Sequence, residues 1–415
     1  MKHLLNYIIS LTVVFALIIS CVEKETLFPI RKNSGDVIPI EEAMALLNKQ
    51  MEVLYPETRS LSNRRITEVI PLTSRQLRAV TRTPSRSEIP DTAVYIFNFS
   101  DNSGYAVTSA NRKYGNTVYC ITEEGKLSPD DFRHTITKTT NDSSEVSTGS
   151  QFVAQLITAS IMANEIAPPD TTIGGGNDVI PYGPYLTTKW TQGNSTNVLP
   201  FNLHTPNNAA AGCAAIAAAQ IMVYNRYSNS MVFDGITCNW DTLASVKPYN
   251  NINNMGTALA QEQVGRFVYE LGKSNNIHVR YNDGSWAQAD GVKRAFSNFG
   301  YDDVEKHTGF GSSNIRKVDA SLRAGYPVFV SGNNSFDFDD IIGSFYGHAW
   351  VIDGLVYPYY HINWGWGGIS DGYYNRGVFK TTSRQATDSL IDANIPSVTM
   401  DEEYGWWYRI ITYSL

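Results

Sequence analysis

The chain has 415 residues, 42% of them hydrophobic and 12% aromatic, enough for packed cores in two or three domains. Its formal charge of −7 excludes nucleic acid as the main partner, because phosphate binding needs a basic face. One basic stretch carries Arg59, Arg64, Arg65, Arg75, Arg78, Arg82 and Arg86, but Ser, Thr and Pro interrupt it and few aromatics are present to stack on bases. It reads as a solvated, loosely ordered segment.

Residues 1–21 read as a targeting segment. Lys2 is followed by a nearly unbroken apolar run from Leu4 to Ile19, too short for a typical transmembrane helix. The run ends in Ser20-Cys21, the pattern of a bacterial lipobox, in which the Cys21 thiol is lipidated and becomes the mature N-terminus. An ordinary signal peptide and an anchor helix are the alternatives. Export from the cytoplasm follows from each of the three, and lipidation would tether the protein to the bacterial membrane on its periplasmic or outer face. Of the four cysteines, Cys120, Cys213 and Cys238 remain, a thin disulfide framework for an exported chain. No CxxC spacing exists, so neither a structural metal nor any other cofactor is expected.

Residues 22–166 form a first unit. Ala43, Leu46, Leu47, Met51 and Leu54 recur at helical spacing over 40–54. The run 93–99 alternates as a strand, Asp101-Asn102-Ser103-Gly104 makes a turn, and 105–109 returns as a hairpin. A third strand is expected at 118–121 and a helix at 152–166. Residues 167–184 hold Pro168, Pro169, the run Gly174-Gly175-Gly176, Pro181 and Pro184. This is a linker and a place for proteolytic processing. Residues 185–415 form a second unit, with helices near 211–226, 259–273 and 287–299. Strands follow at 326–331, 348–353, 360–363, 373–378 and 406–413. Helices first and strands later indicate an α+β domain of two lobes.

Three motifs in the second unit carry chemistry. Gly212-Cys213 opens an alanine-rich helical run, at the helix end where negative charge on sulfur is favoured and where glycine lets a substrate approach. A buried structural cysteine is the plainer reading. Gly347-His348 opens the alternating strand Ala349-Trp350-Val351-Ile352-Asp353, which suits a rigidly held general base; a core histidine is the alternative. In Tyr360-His361-Ile362-Asn363-Trp364-Gly365-Trp366-Gly367-Gly368, Asn363 follows His348 by 15 residues, about a strand, a turn and a return strand. Its amide could orient the imidazole, with Trp364 shielding the contact. Otherwise the tryptophans are core or a sugar-stacking platform. Upstream, Gln192 offers a side-chain N–H which, with the Cys213 backbone N–H, would form an oxyanion hole.

These runs resemble those of streptopain-type cysteine peptidases, papain-like endopeptidases of bacteria. The resemblance spans about 185–415; the match of the first unit to the family's inhibitory propeptide rests mainly on the 95–99 and 104–110 hairpin. It implies a two-lobed papain-like α+β domain, a helical lobe plus an antiparallel β lobe, preceded by a small α+β prodomain. It implies Cys213 as nucleophile, His348 as base, Asn363 and Trp364 as the orienting pair, and Gln192 as oxyanion donor. It also places Gly284-Ser285-Trp286-Ala287 along the cleft. Gly212, Ser285, Trp286 and Gly347 are then substrate-contacting positions. Trp286 stands where the family has a small residue, and Glu403-Tyr404-Gly405-Trp406-Trp407 replaces a more glycine-rich stretch. Both departures bear on the cleft. Cys120 and Cys238 have no role in the pattern and are expected as buried thiols; a bond between them would tie the first unit to the second.

The expected partners are peptide or protein substrates, the chain's own prodomain as inhibitor, and a membrane through the lipid on Cys21. Two other functions compete: a surface glycan-binding lipoprotein without catalysis, and a Cys–His amidase or acyltransferase on the same fold.

Overall fold

In a computed structural model of the chain, the described residues are 36–56, 64–78, 92–132, 145–164, 180–246, 255–283, 285–334, 347–379 and 406–415. The targeting segment with Cys21, most of the linker, Gly284 and 403–405 lie outside them. Residues Ile38–Leu415 form one compact unit.

Helix α1 (Ile40–Leu54) buries Ala43, Leu47, Gln50 and Leu54 on one face and carries Glu41 and Glu42 in its first turn, where acidic groups complement the helix dipole. Strand β1 (Ile66–Thr73) pairs with β2 (Thr92–Phe99), which pairs with β3 (Tyr105–Ser109), which pairs with β4 (Val118–Thr122). β1 and Arg64 give order to residues 64–78 of the stretch expected to be loosely ordered; Arg59, Arg82 and Arg86 lie outside the described residues. Arg64, just before β1, donates to the Thr122 carbonyl at 2.5 Å and lies over the rings of Tyr55 and Phe99. Helix α2 (Glu145–Asn164) closes the N-terminal part.

Helices α3 (Cys213–Asn225), α4 (Ala258–Gly272) and α5 (Ala289–Asn298) come next. Then follow β5 (Asp302–Thr308), α6 (Ser312–Arg323), β6 (Val328–Asn334), β7 (Gly347–Val356), β8 (Tyr359–Asn363), β9 (Gly372–Asn375) and β10 (Trp406–Ser414). The expected strand at 373–378 stops at Asn375 and gives way to a 3-10 turn, Arg376–Phe379.

The strands form one sheet in the order β1-β2-β3-β4-β9-β8-β7-β6-β10-β5, every pairing antiparallel. The seam between the N-terminal strands and the rest is the β4–β9 pairing, Gly372 opposite Thr122, Tyr373 opposite Ile121 and Tyr374 opposite Cys120. Both faces of the sheet are covered. On one face, Phe152 and Leu156 of α2 and Val318 and Leu322 of α6 pack with Val330, Trp350, Ile352, Tyr360 and Ile410. On the other, α3, α4 and α5 pack on Phe329, Ala349, Val351 and Ile411, while α1 packs on Phe97, Ile121 and Tyr359. The side-chain period of two divides each strand between the layers. In β7, Ala349 and Val351 face α3, whereas Trp350 and Ile352 face α2 and α6.

Candidate active site

Helix α3 has no polar face. Residues Ala214 through Val223 are all buried, and the run of small alanines lets neighbouring elements approach closely from every side. One member of that run, Gln220, is polar and wholly buried. Cys213 is the first residue of the helix and is half-buried. Gly212 before it has φ 90° and makes no side-chain cap, so the helix begins with outward-pointing backbone N–H groups beside the sulfur. A side chain on Gly212 would bring its Cβ within 2.9 Å of the Ser285 carbonyl oxygen. The segment Arg280–Trp286 thus abuts the start of α3. Ser285 is buried with φ 58°, while Trp286 is 40% exposed and carries the Arg280 guanidinium over its ring at 4.4 Å.

Gln192 is brought to the same place by backbone pairing. The Ala211 N–H donates to the Gln192 carbonyl at 2.9 Å, two residues before Cys213. Trp190, fully buried, is fixed at three points. Its N–H donates to Gln220 Oε1 at 3.0 Å, its carbonyl accepts from Gly367 N–H at 3.1 Å, and its indole N–H donates to the Val246 carbonyl at 3.3 Å.

His348 is the second residue of β7 and is 8% exposed. Its Nε2 lies 2.7 Å from the Trp364 carbonyl oxygen. A carbonyl only accepts, so Nε2 carries the proton and the neutral ring keeps its lone pair on Nδ1. The ring is enclosed by aromatics: it stacks on Trp366 at 4.6 Å between centroids, with Trp350 and Trp364 each at 6.2 Å, and Phe152 meets it edge-on at 5.4 Å. Burial pushes its pKa down to about 4, against the opposing pull of the Trp364 carbonyl.

Asn363 was expected to orient this ring; in this structure its amide serves other partners. Nδ2 donates to the Thr188 carbonyl at 2.9 Å, and Oδ1 accepts from Gln220 Nε2 and from Gly365 N–H, each at 3.1 Å. The residue that holds His348 is Trp364, through its backbone and its ring. Trp364 is itself held: its N–H donates to Asp371 Oδ1 at 2.8 Å and its indole N–H to Tyr374 Oη at 3.1 Å. Asp371 is wholly enclosed, and burial raises its carboxyl to about 7.

The structure therefore gathers Cys213, Gly212, Gln192 and Ser285 at the start of α3. It places Gly347 and His348 at the start of β7, with the imidazole on the strand face that looks toward Phe152 and Trp350. Cys213 packs against the helical layer on the opposite face. Sequence reading missed Gln220, Phe152 and Asp371. A single glutamine in an otherwise apolar helix was the available sign of the first; the other two had none. Cys120 and Cys238 are buried and not in disulfides, and burial raises both thiols, Cys238 to about 11. Among the described residues no cluster of His, Cys, Asp or Glu suited to a metal ion occurs, and no helix is long and apolar enough to cross a membrane.

The segment that bears this site is similar to bacterial cysteine peptidases of the streptopain type. Residues 190–374 match the Peptidase C10 family. Streptopain of Streptococcus pyogenes serotype M1 is 30% identical over a 217-residue alignment that covers 42% of this chain and 51% of the relative. Streptopain of the serotype M28 strain MGAS6180 aligns to the same extent. The chain spans about half the length of the curated relatives it matches. Among solved structures, a prointerpain A fragment of Prevotella intermedia aligns with a TM-score of 0.49 and 19% identity, covering 78% of this chain and 96% of the fragment. Active wild-type interpain A cysteine protease of the same organism aligns with a TM-score of 0.38 and 24% identity, covering 47% and 86%.

Proposed function

We propose that the chain is an exported cysteine endopeptidase made as a zymogen, with residues 22–166 as its inhibitory prodomain, 167–184 as the processed linker and 185–415 as the enzyme. The observation that carries this reading is Cys213 at the N-terminus of a buried helix, with Gln192 and the Ser285 carbonyl set against that terminus. Lipidation at Cys21 would anchor the protein to the membrane.

In the processed enzyme the Cys213 thiolate attacks a peptide carbonyl carbon. The developing oxyanion is held by the Cys213 backbone N–H and the Gln192 side chain. The protonated His348 gives its proton to the leaving amine as the C–N bond breaks, leaving a thioester on Cys213. Water, deprotonated by His348, attacks the thioester, releasing the carboxylate product and returning the thiol.

In the zymogen this sequence is held off. His348 is enclosed by Trp366 and by Phe152 of α2, and its burial keeps it neutral at pH 7. Loss of α2 with the prodomain would uncover the ring and let it turn toward the α3 side. The burial of Trp350, Trp364 and Trp366 speaks against a glycan-stacking platform, since sugars stack on exposed rings.

The test is a pair of purified full-length chains, wild type and Cys213→Ala, followed by N-terminal sequencing and by labelling with an epoxide thiol probe. Cleavage between 167 and 184, casein digestion and probe attachment at Cys213 are expected in the wild type and absent from the variant. Equal digestion by the two chains would remove the thiol from the chemistry. Probe reaction at Cys213 without protein digestion would turn the reading toward an amidase or acyltransferase.

A further inference from the structure

Gln220 sits seven positions after Cys213 on α3, two turns along the helix and roughly 10 Å down the same side. It is 0% exposed in a helix whose other residues from Ala214 to Val223 are apolar. An amide there costs stability unless both ends are satisfied, and a leucine or methionine would pack without that condition. Both ends are used. Oε1 accepts from the Trp190 N–H at 3.0 Å and Nε2 donates to Asn363 Oδ1 at 3.1 Å. The direction of the amide is set by its partners, because the backbone N–H can only donate, and Asn363 Oδ1 already accepts from Gly365 while its Nδ2 donates to the Thr188 carbonyl.

Each partner leads into a part of the proposed machinery. Trp190 leads into Gln192, whose carbonyl is pinned by the Ala211 N–H, so the loop is held at one end by α3 and at the other by the segment entering Cys213. Asn363 leads into Trp364, whose carbonyl holds His348. We propose that Gln220 is a positioning residue that, braced on Asn363, sets the oxyanion loop at Gln192 against the sulfur. This rests on the peptidase reading above and adds a residue that never touches the substrate.

The experiment uses the processed enzyme with Gln220→Met and Gln220→Glu. The first removes both bonds. The second keeps size and the acceptor for Trp190 but faces Asn363 Oδ1 with another acceptor, and it serves if the methionine variant does not fold. Three quantities are read: kcat and KM on a peptide substrate, affinity for a peptide aldehyde whose adduct carries an oxyanion, and the rate of iodoacetamide alkylation at Cys213, which needs no oxyanion hole. Expected are a kcat lower by about 10–100-fold and a parallel loss of aldehyde affinity, with KM and alkylation within about twofold of wild type. In a Gln192→Ala background the same substitutions should cost much less, because the group they position is gone. Turnover and aldehyde affinity unchanged in the variants would overturn the proposal. So would alkylation falling in step with turnover, the mark of a merely structural role. A wild-type enzyme without Cys213-dependent hydrolysis would instead overturn the peptidase reading, and this one with it.

Discussion

Phe152 of α2 meets the imidazole of His348 edge-on, 5.4 Å between ring centroids, so a residue ahead of the linker forms one wall around the proposed base. The other walls, Trp350, Trp364 and Trp366, follow the linker in sequence. Among these four rings only Phe152 would leave with the prodomain. Phe152→Ala in the full-length chain should therefore shorten the lag before self-processing and speed alkylation of Cys213. It should also cost about 3 kcal/mol of stability, as for a buried Phe reduced to Ala. Time courses of cleavage and thermal melts check both. An unchanged lag alongside the lower melting temperature would show Phe152 to be packing alone.

The pH response of the latent state follows from the same pocket. The four rings around His348 are uncharged, and the folded pKa of about 4 lies below the ordinary 6.5. Between those values the opened state binds the proton and the closed state does not, so closure is fully stable above about pH 6.5 and weakens as the pH falls toward 4. The effect is on the order of 3 kcal/mol. In the inactive Cys213→Ala chain, the protection factors of the α2 amides, taken against the slower intrinsic exchange in acid, should fall on going from pH 7 to pH 5. Adding His348→Phe, which removes the titrating group, should flatten that dependence. An identical loss of protection in both chains would place the switch elsewhere.

The β4–β9 seam carries a charged cluster. His361 Nδ1 lies 2.6 Å from Asp353 Oδ1, and its Nε2 lies 3.3 Å from Glu123 Oε1 just beyond β4. Lys189 reaches Glu123 at 3.3 Å and Glu124 at 3.6 Å. Burial works against a charged His361, but the two carboxylates prevail and raise it to about 10; burial likewise opposes a charged Glu123, and its partners His361 and Lys189 hold it below the usual carboxylate range. The stability from a raised histidine is complete below about pH 6.5 and is lost as pH rises through 10. Glu123→Gln should lower the full-length chain's stability at pH 7 by about 1–3 kcal/mol, less than for a fully enclosed pair because Glu123 is partly solvated. It should also flatten the decline between pH 7 and 10. Urea melts of the Cys213→Ala chain at several pH values read both; equal slopes would count against the cluster.

Gly212→Ala tests the approach of two segments beside Cys213. The substitution places a Cβ 2.9 Å from the Ser285 carbonyl at φ 90°. Backbone strain of about 1–2 kcal/mol is expected, and with it a displaced 280–286 segment and a drop in kcat/KM of about tenfold or more. Peptide kinetics with a melt control decide it. Wild-type kinetics would mean that the loop yields at no cost to the site.

Local periodicity was enough for α1, for the β2–β3 hairpin and for α3, because each pattern is complete within one short run. β1 escaped notice because Pro71 and Glu68 break its alternation; its place comes from pairing with β2. β5, at the sheet edge, buries only Val304 and His307 of seven residues, so its sequence reads as solvated. Helix α6, with Ile315, Val318 and Leu322 inward, has the period of an amphipathic helix but was passed over among charged neighbours.

The order and types of residues around positions 192, 213, 348 and 363 determined which chemistry this chain can be proposed to perform, because thiol, imidazole and amide are properties of side chains. Which atoms meet was decided by the tertiary structure alone. Pairing across the sheet joins β4 to β9, some 250 residues apart in the chain. The two-residue alternation of β7 then sends His348 to the face where Phe152 waits. Burial on that face, and no local motif, sets the charge of the imidazole and gives its proton to the backbone of Trp364.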